Sequence, residues 1–223
     1  MDIFELNGVQ IGCPEALGTR AITRKLSSGQ YEGTEARAVM MRVKPGWRVL
    51  ELGAGLGYMG ALAAQLTDAL NVTCVEANPD MLQVIRENYV RNDAAEIDLR
   101  HGAVVGDDYE GDTLAFARNP LFWSSRIAEP GDGDGVVEVP ALKIGALLKE
   151  LRPNAVIMDV EGAEQYLFEN KWPKSVRVVV MELHPRYFDS RATIKKIIDC
   201  MSASGLTYDP QASRGNVLAL RRV

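Results

Sequence analysis

From Val49 to Tyr58 an apolar run ends in a carboxylate and then turns through three alternating glycines, Val49-Leu50-Glu51-Leu52-Gly53-Ala54-Gly55-Leu56-Gly57-Tyr58. Glycine lets a backbone turn sharply and come close to a ligand, because no Cβ intervenes. The apolar stretch Leu62 to Leu66 behind it reads as a helix, so the unit is strand, glycine loop, helix. In doubly wound α/β folds that unit opens a nucleotide-type cofactor site.

The spacing argues about which cofactor. A G-x-G-x-x-G dinucleotide loop needs glycine at position 58, to let helix pack close on strand, and Tyr58 stands there. A nicotinamide-dependent oxidoreductase is therefore disfavoured. Read instead as E-x-G-x-G-x-G, with Glu51, Gly53, Gly55 and Gly57 in register, the segment resembles the first motif of S-adenosylmethionine-dependent methyltransferases. A sulfonium cofactor has no pyrophosphate to seat on a helix terminus, but its ammonium group suits a carboxylate at a strand end. Asn71-Val72-Thr73-Cys74-Val75-Glu76 is a second β-rich run ending in a carboxylate, about twenty positions past the loop. Glu76 is thus placed to accept both hydroxyls of a ribose. NAD and S-adenosylmethionine share that requirement, so Glu76 supports adenosine recognition without choosing between them.

The chain has 223 residues, 47% of them hydrophobic, which suits one domain with a sizeable core. A net charge of −5 offers no basic field to gather nucleic acid. No apolar run reaches the length of a membrane span, and the N-terminus has no basic segment followed by an apolar one. Cys13, Cys74 and Cys200 form neither a disulfide framework nor a metal-ligand pattern, and Cys74 reads as a small buried hydrophobe. The expectation is a reduced, cytoplasmic protein with a small-molecule acceptor and neither nucleic-acid nor membrane partner. Nothing in the chain selects an oligomeric state.

Strand and helix patterns alternate, predicting an α/β, doubly wound, mainly parallel sheet with helices on both faces. Residues 3–11 around Asn7-Gly8 predict a hairpin. With helices over 14–27 and 31–43 they make an N-terminal extension, 1–44. Strand 47–52, helix 57–68, strand 71–76, helix 80–92, strand 97–101 and the short run 103–105 follow. Between 106 and 140 the pattern reads as a β-rich insertion with a Gly-Asp-rich tip. Asp132 and Asp134 there lack the further oxygen ligands of a calcium loop. Helix 141–151, strand 155–160, helix 163–169, strand 176–183, helix 190–203 and strands near 206–208 and 216–221 complete the order.

A second constellation stands at the end of the later strands. Met158-Asp159-Val160-Glu161-Gly162-Ala163-Glu164 follows one, and Glu182-Leu183-His184-Pro185 follows the next. Ligands of doubly wound sheets sit beyond the strand carboxyl ends, so Asp159 is expected in the same crevice as Glu51 and Glu76. Residues two apart share a strand face, so Glu182 and His184 face together while the strand lasts. These motifs, taken in order with the glycine loop and Val75-Glu76-Ala77-Asn78-Pro79, resemble the FkbM-type family of S-adenosylmethionine-dependent methyltransferases. The likeness covers about residues 30 to 190. D-V-E-G-A-E is its most distinctive element, and Tyr31-Glu32 is similar to the family's upstream element. The resemblance implies a Rossmann-like, seven-stranded class I methyltransferase fold with its last strand antiparallel. It also implies O-methylation of a small molecule such as a sugar or natural product.

On this reading Glu51, Gly53, Gly55 and Gly57 meet the amino-acid end of the cofactor, and Glu76 meets its ribose. Gly102, Ala103 and Val104 border the adenine. His184, Asp159 and Glu182 are the catalytic candidates, with Asp159 also near the cofactor. An imidazole pKa near 6.5 suits a general base around neutral pH. Glu161 and Glu164 lie at a helix start, where the dipole favours carboxylates. Asp159, Glu161, Glu182 and His184 could also ligate a divalent ion, but the set is generic and a metal-free reaction is the expectation. His101 reads as packing, and Phe122 and Trp123 as a substrate wall or core. The alternative function is a non-catalytic, regulatory protein that keeps the cofactor pocket.

Overall fold

Asn7 and Gly8 both take positive φ, 49° and 80°, as a two-residue hairpin turn requires. They join β1 (Asp2–Leu6) to β2 (Val9–Cys13) in antiparallel register. The computed structural model describes residues 1–118, 126–128, 133 and 135–223, so Phe122, Trp123, Asp132 and Asp134 lie outside the described residues. Helix α1 (Arg20–Ser27) starts later than its apolar pattern suggested, at Thr19, whose hydroxyl caps the Ile22 N–H. Helix α2 (Gly33–Arg42) leads to β3 (Val49–Leu52), α3 (Tyr58–Leu66), β4 (Val72–Glu76), α4 (Leu82–Arg91), β5 (Asp98–His101) and β6 (Ala103–Val105). Then come β7 (Thr113–Ala117), β8 (Arg126–Ile127), β9 (Val136–Lys143), α5 (Ile144–Leu151), β10 (Ala155–Met158), β11 (Val178–Glu182), α6 (Ala192–Ala203), β12 (Leu206–Tyr208) and β13 (Val217–Arg222).

Seven strands form the central sheet in the order β12-β13-β11-β10-β3-β4-β5. From β11 to β5 they are parallel, and β13 runs antiparallel to β11 and to β12. β3, β4 and β10 are buried along their whole length, the property of strands covered on both faces. One face packs on the hairpin and α1 to α4, through Val39, Leu62 and Ile85. The other packs on α5 and α6, through Leu147, Leu148, Ile197 and Met201. The insertion is β-rich as expected: β7 pairs with β8 and β9, and β9 returns beside β6. No helix of the described residues is long and apolar enough to cross a membrane.

Two further expected elements differ. Helix 163–169 is only a short 3-10 turn, Ala163–Tyr166, and α5 begins at Ile144 because residues 136–143 stay in β9. Helix α2 is held from the far end of the chain: the Arg42 guanidinium donates to both Asp209 oxygens at 2.6 and 2.9 Å, and Arg37 donates to the Gln211 carbonyl at 2.7 Å.

Candidate active site

The sheet grows one way from β3 to β5 and the other way from β10 onward, so β3 and β10 flank its switch point. Ligands of such sheets bind beyond the strand ends at that point. A pocket of about 580 Å³ opens there, within the roughly 300–1,000 Å³ of small-molecule sites. Gly53 forms its seam. Its N–H donates to the Val75 carbonyl at 2.9 Å, and the Asp159 N–H donates to the Leu52 carbonyl at 2.9 Å. Gly53 has φ +86°, and a Cβ there would lie 1.8 Å from the Asp159 carbonyl oxygen. Only glycine lets the two strand ends close together.

Gly53, Gly55, Glu76, Gly102, Ala103, Val104, Asp159, Glu182 and His184 all line this pocket. Glu76 closes β4 with both oxygens engaged, Oε2 accepting from the Gly55 N–H at 3.0 Å and Oε1 from the Asn78 N–H at 2.7 Å. Burial raises its pKa against these backbone donors, which hold it down. Each carboxylate oxygen keeps a further lone pair for a hydroxyl donor.

Glu51 and Gly57 do not line the pocket. Strand alternation turns Glu51 to the face of Val49, away from the crevice, where it is 2% exposed. Its Oε2 is buried without a hydrogen-bond partner, and a Cβ on Gly60 would lie 2.8 Å from it, 2.7 Å from Cys74 Sγ and 2.5 Å from the Tyr89 hydroxyl. Burial pushes the Glu51 pKa up to about 8, so it sits in the core as a neutral acid. Gly57 instead starts α3 in the left-handed region. Tyr58, at the position of the missing third glycine, is fully buried, with its hydroxyl accepting from Asn7 Nδ2 at 2.6 Å.

Glu32, noted in the sequence only as half of the Tyr31-Glu32 pair, is a further carboxylate of the pocket. It lies at the N-terminus of α2 with φ 46°, a conformation costing a non-glycine residue about 1 kcal/mol or more, and its side chain caps nothing. It lines the pocket beside Tyr31. Burial, then Asp159 and Glu51, raise its pKa well above the usual range, with the Tyr31 hydroxyl lowering it. The signal in the chain was the Tyr31-Glu32 pair, whose direction no periodicity reports.

At the other end of the pocket, Glu164 organises the turn after β10. It is 0% exposed. Its Oε2 accepts from the Gly162 N–H at 2.8 Å, and its Oε1 accepts from the His184 N–H at 2.7 Å and faces His184 Nδ1 at 3.2 Å. Glu164 therefore clamps the backbone and the imidazole together, beyond the helix-start role expected of it. His184 is 7% exposed, and its Nε2 stands 3.6 Å from Asp159 Oδ1 and 3.6 Å from Glu161 Oε2. Both pKa values rise, Asp159 to about 8 through burial and then Glu182, and His184 to about 9, where Glu164, Asp159 and Glu161 overcome burial. His184 thus holds a proton at neutral pH, where an unperturbed imidazole is largely neutral. Burial, and after it the neighbouring Glu182 carboxylate, raise the pKa of Glu35 on α2. His101 Nε2 lies 3.2 Å from the Ala77 carbonyl and outside the pocket lining.

Residues 31–128 match the family model of the methyltransferase small domain. A protein-L-isoaspartate O-methyltransferase of Methanoculleus marisnigri is 44% identical over 64 residues, which cover 29% of this chain and 26% of that protein. The chain thus matches about a quarter of the length of that relative. Among solved structures, a precorrin-6y C5,15-methyltransferase from Geobacter metallireducens is 14% identical, with 96% of this chain and 94% of that one covered at a TM-score of 0.49. An O-methyltransferase from Bacillus cereus is 11% identical, with 94% and 84% covered at a TM-score of 0.47. The cofactor of this fold class is S-adenosylmethionine, and the residues fit it. Carboxylates raised by burial and mutual repulsion suit its positive charges, and Asp159 Oδ1 is buried without a hydrogen bond. The chain has the Rossmann-like, class I methyltransferase fold, with the methyltransferase small domain matched over its glycine loop and first strands.

Proposed function

We propose that this protein transfers a methyl group from S-adenosylmethionine to a hydroxyl of a small molecule, such as a sugar or natural product, in the manner of the FkbM-type family its motifs resemble. The observation that carries this reading is the pocket at the β3/β10 switch point, with Glu76 at one end and Asp159, Glu182 and His184 at the other. When bound, the cofactor supplies a methyl group activated by a sulfonium. Gly53 and Gly55 let the backbone approach it, and Glu76 accepts its ribose hydroxyls. Ala103 and Val104 border the base. Glu32 takes the ammonium in place of Glu51, with Asp159 beside it.

Asp159, Glu182 and His184 receive the acceptor and hold its oxygen in line with the methyl carbon. The acceptor's oxygen–hydrogen bond breaks as its proton passes to this group, and a new oxygen–carbon bond forms. The carbon–sulfur bond breaks with its electron pair left on sulfur. Calorimetric titration of one preparation with S-adenosylmethionine and with NAD tests the assignment: the first binds and the second does not. Binding of NAD alone ends it. Glu76→Ala weakens cofactor binding by about 1–3 kcal/mol, the cost of a lost charge-assisted hydrogen bond.

A further inference from the structure

We infer that Asp159, Glu182 and His184 form a binding site for a divalent cation of the magnesium or manganese class, against the metal-free expectation. One ligand atom from each lies within 4.8 Å of the others, and they come from the ends of adjacent parallel strands β10 and β11. A cluster of carboxylates alone would be a solvated surface feature. Here the histidine is nine-tenths buried and aimed by a second residue. Nδ1 faces the fully buried Glu164, so Nε2 is turned toward the carboxylates. A ligating histidine characteristically gives its other ring nitrogen to a carboxylate in this way.

The distances fit an ion better than direct bonds. Nε2 is 3.6 Å from Asp159 Oδ1, beyond hydrogen-bonding reach, and Oδ1 is buried with no hydrogen-bond partner. Two ligands at about 2.1–2.5 Å from one ion stand about 3.0–3.5 Å apart across a right angle. Two carboxylates and one imidazole suit manganese, and leave coordination positions for an acceptor oxygen. The site rests on the methyl-transfer reading for its purpose. An acceptor hydroxyl bound to such an ion would have its pKa lowered, and would release its proton to water as the oxygen–carbon bond forms. Three separate bases thereby become one set of ligands.

The test is titration of chelator-treated full-length protein with Mn²⁺ alone, followed by electron paramagnetic resonance of the free ion, with S-adenosylmethionine titrated calorimetrically into the same samples. The expected result is saturable uptake of one Mn²⁺ per chain, weakened at least about tenfold in Glu182→Gln and in His184→Ala. Glu150→Gln, a surface change at the Arg100 pair, leaves uptake unchanged. Should His184→Ala fail to fold, as judged by its thermal transition, the isosteric Glu182→Gln carries the test. Protein that binds S-adenosylmethionine but takes up no Mn²⁺, or takes it up equally in Glu182→Gln, overturns the cation site and leaves methyl transfer standing. Uptake that depends on Glu182, in protein that binds no S-adenosylmethionine, upholds the cation site and removes the methyl-transfer reading.

Discussion

At the scale of single residues, Glu51 carries the sharpest consequence. Its pKa is about 8 in the folded protein and near 4.5 when solvated, so between those values the folded state holds the extra proton. Stability is therefore full below about pH 4.5 and falls as pH rises toward 8. Glu51→Gln removes that loss, and denaturant titration is expected to find the variant more stable at pH 8 by on the order of 2 kcal/mol, with the two proteins converging near pH 4.5. Gly53→Ala acts oppositely. With backbone oxygen 1.8 Å from the new methyl, the ends of β3 and β10 must separate, and calorimetry is expected to find no cofactor binding in a protein that still melts cooperatively. The direction of Glu51 was not legible in the chain. A four-residue strand buried on both faces shows no polar alternation to tell one face from the other. Position beyond a strand end did bring Glu76, Asp159, Glu182 and His184 into the pocket lining, since the crevice lies where parallel strands stop.

At the scale of elements, the segment between β10 and β11 shapes one end of the pocket. Its apolar spacing suggested a helix over 163–169, but Gly162 sits at φ +100° with Tyr187 against it, and Glu164 spends its carboxylate on Gly162 and His184. Those contacts link positions twenty residues apart, which local periodicity does not report, and they leave a single 3-10 turn. In ion-free protein Asp159 and His184 hold protons to about 8 and 9, so the group must lose protons before it can accept one from a hydroxyl. The transfer rate is expected to rise with pH through that range, and Glu164→Gln, which removes a charge that favours the imidazolium, is expected to move the rise to lower pH. A single-turnover pH profile with labelled cofactor measures both. A rate flat from pH 7 to pH 9, as in bases with ordinary pKa values, would discard these residues as proton acceptors.

Across the whole molecule, the pocket wall formed by Glu32 and Glu35 is fixed by a contact at the opposite end of α2. Asp209 is nearly fully buried and takes the Arg42 guanidinium on both oxygens. Asp209→Asn is expected to destabilise the fold by about 2–3 kcal/mol, since it leaves a half-buried guanidinium short of its charge partner, and to weaken cofactor binding although residue 209 touches no ligand. Chemical denaturation and calorimetry read the two effects. The general architecture was legible, because alternating strand and helix patterns with right-handed crossovers leave few ways to order a parallel sheet. What tied α2 to the C-terminal segment was not, since a lone arginine and a lone aspartate give no sign of pairing across so much chain.

The adjacency of Gly53 and Asp159 bears on the order in which this protein is made. β3 finds its second neighbour only when β10 arrives, after the whole insertion has been synthesised. A nascent chain emerging from the ribosome therefore carries the glycine loop on an exposed sheet edge, with half of its crevice still untranslated. Ligand capture can begin only once Met158 has docked beside Leu52, so S-adenosylmethionine is able to stabilise the finished protein but not to guide its early folding.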